Sequence, residues 1–374
     1  MESLDMSRLR RAYEGKKVLI TGHTGFKGSW LSEWLLGLGA RVSGYALEAE
    51  DEDGNYTMSD LASRMHHHVG DVRDRLLFTK FLKEGAYDFI FHLAAQPLVG
   101  DSYRKPVETC ETNIMGTCHL LEAARSFTHP CSMVVVTTDK CYENMERPLA
   151  YSEADPLGGR DLYSASKAAV ELLSHAYRCS FFENSSVRVA TARAGNVIGG
   201  GDMARDRIVP DAVRASRSGQ SIMLRNPAST RPWQHVLEPL SGYLWLGVRL
   251  SETSSTDGEL CGAFNFGPRL DSNRSVYQLV EELCRHLPVR FTMEAVAAVQ
   301  SFHEAGLLNL DSAKAETVLH WRPVWNFETA VKNAAVWYRE VDQGKNAADA
   351  TRHDIAAYER AAHGAGLPWS LNQE

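Results

Sequence analysis

The run KVLITGHTGFKGSWLSEWLLGLG, residues 17–39, restricts the fold more than any other part of the chain. A short apolar segment enters glycines at 22, 25 and 28 and leaves as an apparent amphipathic helix. Such a strand, turn and helix is the opening unit of a parallel α/β sheet. Gly22 permits the tight turn, Gly25 lets a pyrophosphate approach the backbone, and Gly28 lets the helix lie close on the strand. The helix N-terminus then offers N–H groups and the positive end of its dipole to the anion. The spacing is G-x-x-G-x-x-G, not G-x-G-x-x-G, and a tight turn that binds nothing shares it. His23, Phe26 and Lys27 lie between these glycines. The two basic residues are read as pyrophosphate neighbours.

The rhythm continues. RVSGYAL, MHHHVGDV, FIFHLAA, SMVVVTTD and VRVATARAGNV read as strands, separated by helical runs such as RLLFTKFLKEG and MGTCHLLEAARSF. Strands that are apolar throughout imply a sheet covered on both faces. The fold class is therefore α/β, a doubly wound parallel sheet of Rossmann type with a smaller mixed α/β lobe. Residues 12–199 plus roughly 236–266 are assigned to the nucleotide domain, and roughly 200–235 and 267–345 to the lobe. Residues 346–374 are expected to form a polar, Ala-rich helical tail.

The acids Glu48, Glu50, Asp51, Glu52 and Asp53 follow the second strand. They would repel a 2′-phosphate and accept from a 2′-hydroxyl, which favours NAD. Asp71 is positioned to accept from an adenine amino group and Val72 to pack on the ring. Leu93, Ala94, Ala95 and Gln96 end the fourth strand against the cofactor, and Asn113 is counted with them. The net charge of −7 argues against nucleic acid as the main partner. No apolar run reaches membrane-spanning length and the N-terminus lacks a signal-peptide core, so a cytoplasmic protein is expected. Seven scattered cysteines fit reduced thiols. No metal site is expected. The triplet at 66–68 reads as a strand entry, because neighbouring strand residues face opposite sides.

YSASK puts Tyr163 and Lys167 one turn apart on one helix face. A phenol titrates near 10. A neighbouring ammonium favours phenolate, so Tyr163 is expected to accept a sugar hydroxyl proton near neutral pH.

GHTGFKGSWL, HLAAQPLV, TTDKCYEN, DPLGG, YSASK, ARAGNVIGGGD, RIVPD, RPWQHVLEPLSGYL and FNFGP together resemble the extended short-chain dehydrogenases/reductases that act on nucleotide sugars, most closely the CDP-glucose dehydratase group. The resemblance spans about residues 15–340. It implies NAD as cofactor, CDP-glucose as substrate and a deoxysugar precursor for surface polysaccharides as product. By the match, Thr138, Asp139 and Lys140 sit at the reacting sugar, where simple epimerases lack the last two. Asp139 is the acid for the departing C6 hydroxyl. Lys140 is either the base at C5 or a stabiliser of the enolate. Asn196, Arg207, Arg225 and Arg231 are candidates for the sugar and its diphosphate, since guanidinium suits phosphate. Trp233 and His235 are open between packing and base contact. Gly100, Asp101 and the segment MERPLAYSE depart from the group's pattern beside the sugar pocket, which leaves dTDP- or GDP-hexoses open. The alternatives are an epimerase, which needs only Tyr163 and Lys167, and a redox-sensing regulator, which would dispense with both. A homodimer is expected through the helix bearing Ala165, Ala168, Ala169, Leu172, Leu173, Ala176 and Tyr177.

Overall fold

The computed structural model describes residues 7–145, 150–224, 226–269, 272–293 and 308–372. The strands form as their composition requires. Val18, Leu19 and Ile20 are wholly buried, and every residue of CSMVVV at 131–136 is buried. Seven strands pair side by side: β1 (Lys17–Thr21), β2 (Arg41–Ala46), β3 (His66–Val69), β4 (Phe89–His92), β5 (Cys131–Val136), β6 (Val187–Ala194) and β7 (Ala263–Phe266). Their order is β7-β6-β5-β4-β1-β2-β3, and every neighbouring pair is parallel. The order reverses between β1 and β4. The connections there leave in opposite directions and open a crevice at the carboxyl ends of the strands.

The longer helices are α1 (Phe26–Gly37), α2 (Arg75–Gly85), α3 (Gly116–Ala124), α4 (Leu162–Tyr177), α5 (Ile208–Ser218), α6 (Leu237–Ser251), α7 (Val276–Cys284), α8 (Phe327–Asp342) and α9 (Ala347–Gly364). Several carry a side-chain cap that fixes where they begin. Asp74 accepts from the Leu77 N–H at α2, and Ser275 with Gln278 forms a capping box at α7. Three short two-stranded pairs lie outside the main sheet. Val197–Ile198 and Ser221–Leu224 pair in parallel with Gln234–His235 and Arg290–Met293, and Thr230–Pro232 pairs antiparallel with Asn273–Ser275.

Helix α1 differs from its expected amphipathic form. Trp30, Leu31, Ser32, Glu33, Trp34 and Leu35 are all buried, so no solvent face runs along it. The cause is α9, which covers the outer side of α1. Trp34 Nε1 donates to Glu359 Oε1 at 2.8 Å, and Arg352 pairs with buried Glu33 at 3.1 Å. The segment that reads as a polar tail is thus part of the wall behind the glycine turn. Among the described residues no helix is long and apolar enough to cross a membrane.

Helix α9 also reaches α6. The Tyr358 hydroxyl donates to Glu238 Oε2 at 2.6 Å, and the Val324 and Trp325 N–H groups donate to the same carboxyl at 2.9 and 2.6 Å. Tyr358→Phe leaves this buried carboxyl one donor short. We expect it to lower unfolding free energy by about 1–3 kcal/mol, read by urea denaturation followed by circular dichroism.

Candidate active site

The carboxyl end of β5 builds one half of the site. Thr138 is extended, and its hydroxyl donates to Asp139 Oδ1 at 2.9 Å while accepting from the Lys140 N–H at 3.4 Å. This bends Asp139–Cys141 into a single 3-10 turn and buries the Asp139 carboxyl. Lys140 Nζ lies 3.5 Å from Asp139 Oδ1 and donates to Asn196 Oδ1 at 3.4 Å. A Cβ on Gly195 would stand 2.9 Å from Asp139 Oδ2, so a side chain there would push the carboxyl aside.

Helix α4 supplies the other half. Asp161 caps it by accepting from the Ser164 N–H at 2.9 Å, which places Tyr163 and Lys167 in the first two turns, both buried. Lys167 Nζ donates to the Val136 carbonyl at 3.1 Å, tying the helix to the end of β5. Burial pushes the Tyr163 phenol up to about 12; the Thr138 hydroxyl and Arg207 lower it, and Asp139 raises it. Burial also lowers Lys167 to about 8, and Glu171 opposes that fall. The ready phenolate expected from the Tyr163–Lys167 pair is therefore not present in the protein alone. Desolvation of the phenol outweighs the Thr138 hydrogen bond and the Arg207 charge.

Both pairs meet across Thr138 in one crevice, next to the glycine turn. A sequence model of the family described as GDP-mannose 4,6 dehydratase matches residues 19–334. The chain belongs to that family. It is 41% identical to a CDP-glucose 4,6-dehydratase of Salmonella typhimurium, over 92% of this chain and 97% of that one. A UDP-glucose 4-epimerase of Halalkalibacterium halodurans is 26% identical over 87% of this chain and 97% of its own. The fold is shared with the crystal structure of a dTDP-glucose 4,6-dehydratase from Bacillus anthracis in complex with NAD. That structure has a TM-score of 0.69 and 19% identity, over 88% of this chain and 98% of its own.

The glycine turn of this GDP-mannose 4,6 dehydratase family member has the shape a dinucleotide needs. Gly22 has φ +74°, and a Cβ there would meet the Ala94 backbone at 2.8 Å. A Cβ on Gly28 would lie 2.2 Å from the Gly22 carbonyl. Gly25 is exposed, with nothing nearer to its Cβ position than the Gly22 carbonyl at 3.5 Å. The turn is closed on its protein side and open on its crevice side.

Beside it, the Leu93 and Ala94 N–H groups donate to Thr21 Oγ1, each at 3.2 Å. Ala95 follows in the same loop. Asn113 accepts from the Gln96 N–H at 2.8 Å and donates to Ser166 on α4 at 2.9 Å. The loop after β4 is thereby fixed to the helix of Tyr163. Asp71 is held by Arg73, which donates from Nε and Nη2 at 2.8 and 2.6 Å, and Val72 packs against Gly116.

The reading of His23 is corrected by the structure. His23 supplies no positive charge. Its ring is buried under Gly44, Nε2 bonds to His67 Nδ1 at 2.7 Å, and burial with His67 lowers it to about 3. His235 falls on the packing side of its two readings. It is wholly buried between Trp30 and Trp325, ring centroids 5.4 and 5.0 Å away, and burial lowers it to about 3. Lys27 extends past the turn towards Asp139, Lys140, Lys167 and Arg207, with Nζ 5.9 Å from the Tyr243 ring centroid. Arg207 faces Tyr163 and pairs with Asp202 at 3.0 Å. Arg231 is buried in its strand and donates to the Thr230 carbonyl at 2.8 Å. Trp233 packs and donates to the Arg274 carbonyl at 3.0 Å. Arg225 lies outside the described residues.

Two groups escaped the sequence reading. Glu171 accepts from Thr137, from Thr191 at 2.7 Å and from Arg193 Nη2 at 2.8 Å, all buried. Its place one turn beyond Lys167 was the available signal. Tyr243 sits in an apolar helix, and nothing in the sequence separates it from core. Its phenol is buried beside Tyr163 and Asp139, with no hydrogen-bond partner among the described residues. Glu171→Ala leaves Arg193 charged and unpaired in the interior. We expect a loss of about 3–5 kcal/mol in unfolding free energy, measured by denaturant titration.

Proposed function

We propose that the protein is an NAD-dependent 4,6-dehydratase that converts CDP-glucose to CDP-4-keto-6-deoxyglucose. The observation that carries this is the joining of Asp139 and Lys140 to Tyr163 through Thr138 in one buried cluster. An epimerase needs the tyrosine and its lysine alone. CDP-glucose is favoured because the 41% identical relative is a CDP-glucose 4,6-dehydratase. The sugar nucleotide is assigned to the lobe of residues 200–235 and 267–345, with Asn196, Arg207 and Arg231 towards the sugar and diphosphate, and Arg225 kept from the sequence alone.

The open face of Gly25, the backbone of Gly22, Phe26 and Gly28, and the loop Leu93–Gln96 with Asn113 would hold NAD, with Asp71 and Val72 at the adenine. Bound NAD would supply a hydride acceptor for C4 and a hydride donor for C6. Tyr163 takes the C4 hydroxyl proton, helped by the positive charge that the cofactor brings. Lys167 fixes the phenol's helix to β5 and is free to bond a ribose hydroxyl. The new ketone acidifies C5. Asp139 and Lys140 then act as a couple. With the shared proton on Asp139, Lys140 is a free amine that takes the C5 proton, and Asp139 gives its own to the departing C6 hydroxyl as water. The Lys140 ammonium returns a proton to C5, and the proton held by Tyr163 restores Asp139.

CDP-glucose deuterated at C4 should give product labelled at C6, with C5 exchanged from solvent and no net NADH. Label recovered at C4 of a hexose would indicate an epimerase, and stoichiometric NADH an ordinary dehydrogenase. Mass spectrometry and absorbance at 340 nm read these outcomes.

We also propose a homodimer formed through α4. Ala165 and Ala169 are half-buried, Leu172 is 60% exposed and Ala176 is exposed, giving an apolar stripe along one side. Ala168, Leu173 and Tyr177 pack within the chain instead. Val107, 67% exposed, lies on the short helix Pro106–Cys110 that packs on α4. Leu172→Glu should convert a dimer to a monomer by light scattering at micromolar concentration. A wild-type monomer under the same conditions would end this proposal.

A further inference from the structure

Tyr243 lies on α6, and its side chain is wholly buried. Its ring meets Phe266 edge to face at 5.8 Å, and Lys27 Nζ, which stands in the crevice, lies 5.9 Å from its centroid. Its hydroxyl is near enough to Tyr163 and Asp139 for their charges to act on it, and burial with both keeps it a phenol. Among the described residues that hydroxyl has no hydrogen-bond partner. A buried hydroxyl left unbonded costs free energy, and phenylalanine would fill the same space without that cost. The oxygen therefore does nothing for the folded protein alone. Its neighbour Asp139 is bonded through one oxygen. Oδ1 accepts from Thr138 at 2.9 Å and lies 3.5 Å from Lys140 Nζ. Among the described residues Oδ2 accepts no hydrogen bond. Gly195 leaves it room, since a Cβ there would stand 2.9 Å away. An unused donor and an unused acceptor thus share one end of the crevice without bonding each other.

We propose that the Tyr243 hydroxyl is a second donor to the C6 oxygen as that oxygen leaves the sugar. The inference rests on the dehydratase reading of the site. In that reading Lys140 takes the C5 proton, and the C5–H electron pair becomes the second bond between C5 and C6. The C6–O bond breaks with its pair going to oxygen, and the Asp139 proton completes a water. Tyr243 gives a hydrogen bond and keeps its own proton. At C4 the oxygen has both Tyr163 and Thr138 beside it, whereas at C6 it has Asp139 alone. Negative charge gathers on the C6 oxygen as its bond breaks, and a donor already in place within a buried site lowers the cost of that charge. The water formed then has two partners, Tyr243 and the Asp139 carboxylate, which is what a buried water needs.

Single-turnover mixing of the NAD-loaded enzyme with CDP-glucose tests this, with NADH followed by absorbance and the 4-keto-6-deoxy product by mass spectrometry. In Tyr243→Phe, NADH should form as in the wild type while product appears about tenfold or more slowly, so that NADH builds up. A packing role would slow both steps together. Product slowed without a build-up of NADH, or product formed at the wild-type rate, would overturn the proposal. Should Tyr243→Phe lose its circular dichroism signature, Tyr243→Met provides the same comparison. A variant that matches the wild type removes this proposal alone. A wild type that makes no 4-keto-6-deoxy product removes the dehydratase reading and this proposal with it.

Discussion

The crevice depends on how closely α1 can approach the end of β1. At Gly28 the helix lies so near the Gly22 carbonyl that a single added carbon would overlap it. That approach sets three things together. It aims the helix N-terminus across the switch point of the sheet. It drives Trp30 and Trp34 into the core. It also sends the preceding side chain, Lys27, outward from the turn, across the crevice to α4 and the turn after β5. A larger residue at 28 would move the helix, and with it the cofactor cradle and one wall of the reaction centre.

Charge is distributed unevenly around that crevice. Lys27, Lys140, Lys167 and Arg207 surround a single buried acid, Asp139. Such a surplus fits a ligand that arrives with several negative charges, as a nucleotide diphosphate does. The same cations favour a phenolate at Tyr163, but burial outweighs them. The cations sit where they serve the ligand and the sugar, and burial governs the tyrosine until the cleft is filled. Behind this layer, the Glu171–Arg193 pair with its two threonines is balanced and internal, and it steadies the ends of β5, β6 and α4.

Much of this was legible in the sequence because it was local. The glycine turn, the alternating strands and helices, and the pair Tyr163–Lys167 each declare themselves within a few residues, while Asp139 and Lys140 were marked by the family resemblance. The strand and helix runs that pattern alone assigned, such as RLLFTKFLKEG, form as read. What escaped is what distant segments decide. Sequence alone reads His23 as a cation beside the phosphates and leaves His235 open between packing and base contact, and neighbours brought from other elements seal both inside. Lys27 carries no mark that distinguishes a phosphate contact from a reaction-centre amine. Its direction follows from where Tyr243 falls on α6. The helix α1 reads as amphipathic only while α9 is left out of account.

That last dependence reaches beyond the finished molecule. The first β–α unit is sealed by residues some 325 positions later, through Trp34 and Glu359. Contacts of that sequence separation form late, since a long loop has to close before they yield anything. During synthesis, the nascent glycine turn and its tryptophan-bearing helix wait with an apolar side uncovered until the chain beyond residue 350 has emerged. Growing chains are exposed to aggregation for that interval. The dinucleotide cradle, written near the beginning of the sequence, is among the last parts of the protein to become whole.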